Sequence, residues 1–360
     1  MKVVLSGGGT GGHVYPALAV GEALRQAGAH ELLYIGVRGR MDETIVADAG
    51  LPFEAVRAGP LRVKSPLRAL RSLLDLALGT AQAWRLLGRF RPDAVFATGG
   101  YASVPVGIAA RLRRRPLVVY LPDVRPGWAV RLLSRLATRV ATTAERSLDE
   151  LPAGKGVVVG YPVRDSFWVA TREGARQRLG LPLDAKVLLV SGASQGAHRL
   201  NGAVMEQIES LLDAANVLHL TGRADEAEVR ARQGGLPEAL RERYHVFGYL
   251  DDMAGAMAAA DLAVMRAGAS TLGELPAACL PAVLVPGVYE GWDQSPNARY
   301  LEEQGAGVML EQTQLARLSD VVRELLADET KLRAMGEAMR RLAKPDAARR
   351  IAELLTEVAA

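Results

Sequence analysis

The sharpest chemical signal in this sequence is His13, which closes the segment Gly7-Gly8-Gly9-Thr10-Gly11-Gly12-His13. Five glycines in six residues exceed what a tight turn needs. Glycine lets the backbone turn sharply and approach a ligand closely. The segment follows an apolar run, Lys2–Ser6, and opens an amphipathic stretch, Val14–Ala27. A helix that begins there presents free N–H groups and a positive partial charge, which suits a phosphate. The same dipole disfavours an imidazolium at His13, and a neutral imidazole can act as a general base near pH 7.

Three further glycine turns follow apolar runs: Thr98-Gly99-Gly100-Tyr101, Gly192-Ala193-Ser194-Gln195-Gly196 and Ala267-Gly268-Ala269-Ser270-Thr271. Four such loops, two in each half of the chain, suit a pyrophosphate-linked donor held between two domains. Glu274 has two readings. It completes a capping box with Thr271, or its carboxylate accepts hydrogen bonds from ribose or sugar hydroxyls. Asp293-Gln294 pairs a carboxylate with an amide, as a reader of sugar hydroxyls would. Arg164 could reach a phosphate. The spacing Gly7-x-Gly9-x-x-Gly12 also matches a dinucleotide fingerprint, but no acid ends the second strand, Tyr34-Ile35-Gly36-Val37-Arg38. Arg38 could serve an NADP 2′-phosphate, so an NADP-dependent oxidoreductase stays open as an alternative.

The elements that must position these residues alternate. Lys2–Ser6, Leu32–Ile35, Ala94–Ala97, Leu117–Tyr120 and Val157–Val159 read as strands. Val14–Ala27, Leu67–Leu87, Ser103–Leu112 and Trp128–Leu136 read as the helices between them. The pattern restarts at Lys186–Ser191, with strands at Val217–Leu220, His245–Phe247, Leu262–Met265 and Ala282–Val285. The expectation is an α/β protein with two Rossmann-like domains, 1–163 and 164–344, whose parallel sheets face each other across a cleft. The join falls near Gly160-Tyr161-Pro162-Val163-Arg164. The last helical stretch, 345–360, could pack on either half.

Composition narrows the classes. The chain has 360 residues, 49% hydrophobic and 23% charged, with a mean hydropathy near zero, as in a globular protein. No apolar run approaches the ~18–20 residues that span a bilayer. The start lacks a signal-peptide cleavage pattern, so a cytoplasmic location is expected. Cys279 is the sole cysteine, which excludes a disulfide framework and a cysteine-rich zinc site. A catalytic thiol is one reading of it; its neighbours Ala277, Ala278 and Leu280 favour core packing. Only six of the 44 basic residues are lysine. Leu61–Arg91 sets Arg62, Lys64, Arg68, Arg71, Arg85, Arg89 and Arg91 against one acid, Asp75, with leucines at helical spacing. It reads either as a helix lying on an anionic membrane surface or as one packing its leucines on the sheet. Arg111, Arg113, Arg114 and Arg115 add a second basic cluster. No aromatic platform or motif for nucleic acid accompanies them.

The run Gly8-Gly9-Thr10-Gly11-Gly12-His13-Val14-Tyr15-Pro16 closely resembles the opening of the MurG family. The likeness continues in order through Thr98–Tyr101, Gly160–Arg164, Ala193–Ala197, Asp251-Asp252-Met253, Arg266–Glu274 and Gln294 with Asn297. These bacterial enzymes are inverting GT-B glycosyltransferases that add GlcNAc to undecaprenyl-pyrophosphoryl-MurNAc-pentapeptide. The resemblance implies a peripheral enzyme on the cytoplasmic face of the membrane, with UDP-GlcNAc and that lipid as substrates, no cofactor, and no metal needed for transfer. By the same resemblance His13 is the base for the acceptor 4-hydroxyl. Thr10, Gly11 and Gly12 face phosphates, and Arg164 and Ser194 hold the donor diphosphate. Leu250 meets uracil through its backbone. Ala269, Ser270 and Thr271 support phosphate and ribose, and Glu274 holds ribose hydroxyls. Asp293 and Gln294 read GlcNAc. Tyr101, Asp123, Gln195 and Asn297 complete the substrate-binding set. One departure concerns the acceptor. The family commonly has His-Glu-Gln-Asn where this chain has Tyr120-Leu121-Pro122-Asp123. Other readings are a GT-B enzyme for a different glycolipid, or a binding protein without turnover.

Overall fold

The computed structural model describes residues 1–8, 11–28, 31–59, 66–192, 197–289 and 292–360; the side chains of residues 66–69, 289 and 292 lie outside that description. The chain forms two compact units, Met1–Val163 with Lys344–Ala360, and Arg164–Ala343.

The first unit is built on β1 (Lys2–Ser6), β2 (Glu31–Gly36), β3 (Phe53–Ala55), β4 (Ala94–Ala97), β5 (Leu117–Leu121), β6 (Arg139–Thr142) and β7 (Gly156–Val158). All pair in parallel, in the order β3-β2-β1-β4-β5-β6-β7. Apart from Lys2 the central strands are buried, because helices on the sheet faces exclude water from both sides of each strand. β3 and β6 escape a reading based on apolar runs. Their segments, Phe53-Glu54-Ala55 and Arg139-Val140-Ala141-Thr142, are short and carry a charge. After β1 the chain builds toward one edge of the sheet, and after β4 toward the other. The crevice at this switch lies beyond the carboxyl ends of β1 and β4, where open α/β sheets bind ligands.

The terminal helix Ala347–Ala359 settles on this first unit, packing on the helix Gly11–Gln26 and on β4. Ile351, Leu354 and Leu355 are buried there, each contributing about 1.5–3 kcal/mol of hydrophobic stabilisation. Gly160, at φ 93°, lets the chain pass beneath it: a Cβ there would collide with Lys344.

The leucine-rich helix Pro66–Phe90 divides its faces sharply. Ser72, Gly79, Ala83 and Leu87 are buried against the unit, at helical spacing. Leu70, Leu73, Leu74 and Leu78 keep 59%, 60%, 56% and 47% of their surface exposed, so they do not pack on the sheet. Trp84 shares the outward side, at 46% exposure. Among the described residues no helix is long and apolar enough to cross a membrane.

The second unit repeats the plan with β8 (Val187–Ser191), β9 (Asn216–Leu220), β10 (Tyr244–Phe247), β11 (Leu262–Met265), β12 (Ala282–Leu284) and, after the two-residue antiparallel strands β13 (Val288–Tyr289) and β14 (Trp292–Asp293), β15 (Gly307–Met309). The parallel sheet runs β10-β9-β8-β11-β12-β15, so its switch lies between β8 and β11.

Candidate active site

In the first unit the switch point is occupied by His13. The helix begins at Gly11, earlier than the apolar pattern alone implies, so His13 sits in its first turn. Thr98, immediately after β4, holds it from two directions. The Thr98 hydroxyl donates to the His13 carbonyl at 2.6 Å, and the Thr98 carbonyl lies 2.7 Å from His13 Nδ1. A carbonyl can only accept, so Nδ1 carries the proton and the neutral ring keeps its lone pair on Nε2. Burial lowers the imidazole pKa from its ordinary value, against the opposing charge of Asp123 and the bond to Thr98. The ring therefore stays neutral near pH 7, with a defined basic nitrogen.

The surrounding glycines make room for this arrangement. A Cβ on Gly99 would lie 3.0 Å from His13 Cε1, and one on Gly100 would collide with the Gly8 carbonyl. Both have positive φ, 99° and 81°, which side-chain-bearing residues rarely adopt. Pro16 lies inside the helix and has no N–H to give the Gly12 carbonyl four residues earlier. The Tyr161 hydroxyl donates to that carbonyl instead, at 3.4 Å. Gly11 and Gly12 are described at the helix start, whereas Thr10 lies outside the described residues. Asp123 is partly buried and acts electrostatically on His13. Tyr101 is 43% exposed in the turn after β4. Tyr120 is core: its hydroxyl shares a 2.7 Å bond with Thr143 and donates to the Gly160 carbonyl.

In the second unit the switch-point residue is Glu274. The helix Thr271–Ala277 begins at Thr271 itself, and the Thr271 hydroxyl donates to the Gly268 carbonyl, so the capping box is not formed. Glu274 takes a hydrogen bond from the Ser270 side chain instead. Burial pushes its carboxyl up to about 7, against the Ser270 bond and the positive charge of Arg164. Arg164 is exposed, with its guanidinium 5.7 Å from the Phe167 ring centroid. Ala269 and Ser270 are partly exposed beside it, and Thr271 is buried.

Two expected sugar readers are tied into the scaffold. Gln294 is buried, and its Oε1 accepts from the Gly287 N–H at 2.8 Å, so only its amide nitrogen is left to face the Gly268 turn. Asn297 is buried and donates to the Ala267 carbonyl at 3.0 Å. Asn297 thereby ties the segment after β12 to the loop after β11, while Gln294 braces the loop after β12 itself. Asp293 is exposed and its Oδ1 accepts from the Ser295 N–H at 2.8 Å, at the start of the helix Ser295–Glu303. Leu250 is partly exposed beyond β10, three places along the sheet from β11. Ser194 and Gln195 lie outside the described residues.

Sequence reasoning missed three residues that shape the first site. Thr98 and Gly99 stood inside a recognised motif, but nothing in the linear pattern ties them to His13. Asp42 carried no signal at all. It is buried, its Oδ2 accepts from the Val37 N–H at 3.0 Å, and it lies 3.1 Å from where a Gly8 Cβ would be. Arg38, the candidate for an NADP phosphate, is highly exposed and 3.9 Å from Glu43.

Comparison with known proteins agrees with this geometry. Residues 3–142 match the glycosyltransferase family 28 N-terminal domain, and residues 187–351 match the family's C-terminal domain. A protein of Roseiflexus sp. (strain RS-1) named UDP-N-acetylglucosamine–N-acetylmuramyl-(pentapeptide) pyrophosphoryl-undecaprenol N-acetylglucosamine transferase is 41% identical, covering 99% of this chain and 94% of its own. A protein of the same name from Halothermothrix orenii is 36% identical, covering 100% and 99%. The crystal structure of Acinetobacter baumannii MurG superposes with a TM-score of 0.77 at 27% identity, covering 99% of both chains. These matches set the nicotinamide alternative aside and give the paired sheets their fold name, GT-B. The chain belongs to glycosyltransferase family 28 and, within it, to the MurG family.

Proposed function

We propose that this protein transfers GlcNAc from UDP-GlcNAc to the 4-hydroxyl of MurNAc in undecaprenyl-pyrophosphoryl-MurNAc-pentapeptide, inverting the anomeric carbon in one displacement. The observation that carries this reading is the His13–Thr98 pair, which fixes the imidazole as a neutral base with its lone pair on Nε2. Nε2 takes the proton of the acceptor hydroxyl as that oxygen bonds to the anomeric carbon. The bond from that carbon to the UDP oxygen breaks, and UDP leaves with the electron pair. The names of the full-length relatives support both substrates.

The first unit handles the acceptor and supplies the base; the second holds the donor. Thr10, Gly11 and Gly12 lie along phosphate, with Tyr101 and Asp123 toward the acceptor. Arg164, Ser194 and Gln195 hold the donor diphosphate and stabilise the leaving UDP electrostatically. Ala269, Ser270 and Thr271 support phosphate and ribose. Leu250 meets uracil, and Glu274 accepts from ribose hydroxyls. Gln294 offers its amide nitrogen to the sugar, with Asp293 beside it and Asn297 fixing the loop. The exposed leucines of the helix Pro66–Phe90, flanked by Arg71, Arg85 and Arg89, seat the first unit on the anionic cytoplasmic face of the membrane, near its lipid substrate.

UDP release from UDP-GlcNAc, measured with and without the lipid-linked acceptor, tests the assignment. Acceptor-dependent release is expected. Donor binding with no acceptor-dependent release would overturn it. Asp123, a carboxylate beside the base, favours one other reading, a different glycolipid acceptor; release with such a lipid but not with MurNAc-pentapeptide would establish it.

A further inference from the structure

The second unit carries a cluster of metal-ligating side chains apart from the Glu274 group. His198 opens the helix His198–Glu206 that follows β8, and Asp225 precedes the helix Glu226–Gly234 that follows β9. Glu228 lies in the first turn of that second helix. One ligand atom from each of these three side chains falls within 4.8 Å of the others. His198 Nδ1 is 3.2 Å from Asp225 Oδ1.

What distinguishes this group from an ordinary charged surface is the buried chain of hydrogen bonds behind it. The amide nitrogen of Asn201 donates to Asp225 Oδ2 and to the Thr221 carbonyl, each at 2.7 Å. The Asn201 oxygen therefore faces His219 Nε2, at 3.1 Å, and that nitrogen must be the donor. Burial holds the His219 pKa down to about 3, so the ring is neutral and its Nδ1 is an acceptor. The Tyr244 hydroxyl donates to it at 2.7 Å. Every proton from Tyr244 to Asp225 is thus directed outward, and Asp225 is set in one orientation with Oδ1 toward His198. Such outer partners are what orient the first ligands of metal sites.

We propose that His198, Asp225 and Glu228 form a binding site for a divalent transition cation of the zinc or manganese class. One imidazole nitrogen and two carboxylates suit such ions, whereas magnesium and calcium sites are built from oxygen alone. Ligands ~2.1 Å from one ion lie at most about 4.2 Å apart, so a small rotation of the exposed His198 or Glu228 side chain completes the set. Three protein ligands leave positions open for water or a phosphate oxygen. The site lies at the carboxyl ends of β8 and β9, the edge where such sheets take their ligands. It has no part in the displacement itself.

The test is titration of the tag-free, chelator-treated full chain with Co2+, followed by visible absorption, and with Zn2+, followed by calorimetry. Neither donor nor acceptor is added, so the result is independent of the transferase assay. One equivalent should bind with a cobalt d–d spectrum. H198A and E228Q, both at exposed positions, should each weaken binding about tenfold or more while leaving the metal-free melting temperature unchanged. Absence of saturable binding, or equal affinity in wild type and both variants, would overturn the proposal.

Discussion

The two switch points use the same scaffold to opposite ends. Each lies between the first and fourth strands of its sheet, and each places one ionisable side chain near the start of the helix beyond. Burial shifts both groups toward their neutral forms, lowering the pKa of His13 and raising that of Glu274 to about 7. The consequences differ because the fixed hydrogen bonds differ. A carbonyl on His13 Nδ1 leaves the lone pair on Nε2, the arrangement the proposed general base requires. A hydroxyl on Glu274 leaves carboxylate capacity for other hydroxyl donors, as the proposed ribose contact requires. Desolvation sets the protonation state in each unit, and one neighbouring bond decides the role.

The strongest challenge to this contrast is His13→Ala. Acceptor-dependent UDP release should fall about 10²–10⁴-fold, the range for loss of a general base, while UDP affinity by calorimetry stays at the wild-type value. If affinity fell with turnover, the division of labour between the units would fail.

Glu274→Gln is the reciprocal change. A hydrogen bond to a charged group is worth about 1.5–3 kcal/mol, so UDP affinity should drop about 10–100-fold. In the wild type that affinity should rise as pH climbs through about 7 and Glu274 ionises. The variant should show no such rise. Stability without ligand runs the other way. The folded-state pKa exceeds the ordinary 4.5, so the protonated carboxyl favours the fold. That contribution is complete below about 4.5 and is lost as pH rises through about 7, a slope the glutamine variant should lack in denaturant titrations.

Gly99→Ala sharpens the role of backbone at the first site. Positive φ and a Cβ 3.0 Å from the His13 ring should cost about 1–3 kcal/mol of stability. A displaced ring should also move the acidic limb of the turnover–pH profile, where His13 protonates, whereas general destabilisation alone would leave that limb in place.

The smallest effect on folding should come from Leu73→Gln combined with Leu74→Gln. Both residues are more than half exposed, so stability should change by no more than about 0.5 kcal/mol per site. Binding to anionic vesicles, measured by flotation, should nonetheless weaken. Unchanged vesicle binding would remove this helix from the membrane-facing surface.

Much of this was legible in the linear sequence because it depends on local pattern. Lys2–Ser6, Ala94–Ala97, Ser103–Leu112 and Leu262–Met265 are elements whose residue types alone set their period and limits. The glycine loops were legible too, since repeated glycine after an apolar strand has few other uses. β3, β6 and β15 were not, because Phe53-Glu54-Ala55, Arg139-Val140-Ala141-Thr142 and Gly307-Val308-Met309 are short and interrupted by a charge or a glycine, so their conformation rests on the neighbours they pair with. In the helix Pro66–Phe90 the small Ser72, Gly79 and Ala83 lie inside and most of the described leucines outside, an arrangement that only packing reveals.

By itself, then, the sequence determined the α/β alternation, its repetition in a second half and the presence of a histidine at a phosphate-type loop. Those features rest on interactions within a few residues of chain. Tertiary structure alone decided that the Thr98 carbonyl, 85 residues away, accepts from Nδ1, keeps the proton there and frees Nε2. It also decided that Gln294 spends its carbonyl on Gly287, and that the terminal helix returns to the first unit. The physical reason is that a proton's position and a side chain's free valence are set by partners in space, and sequence spacing carries no record of those partners.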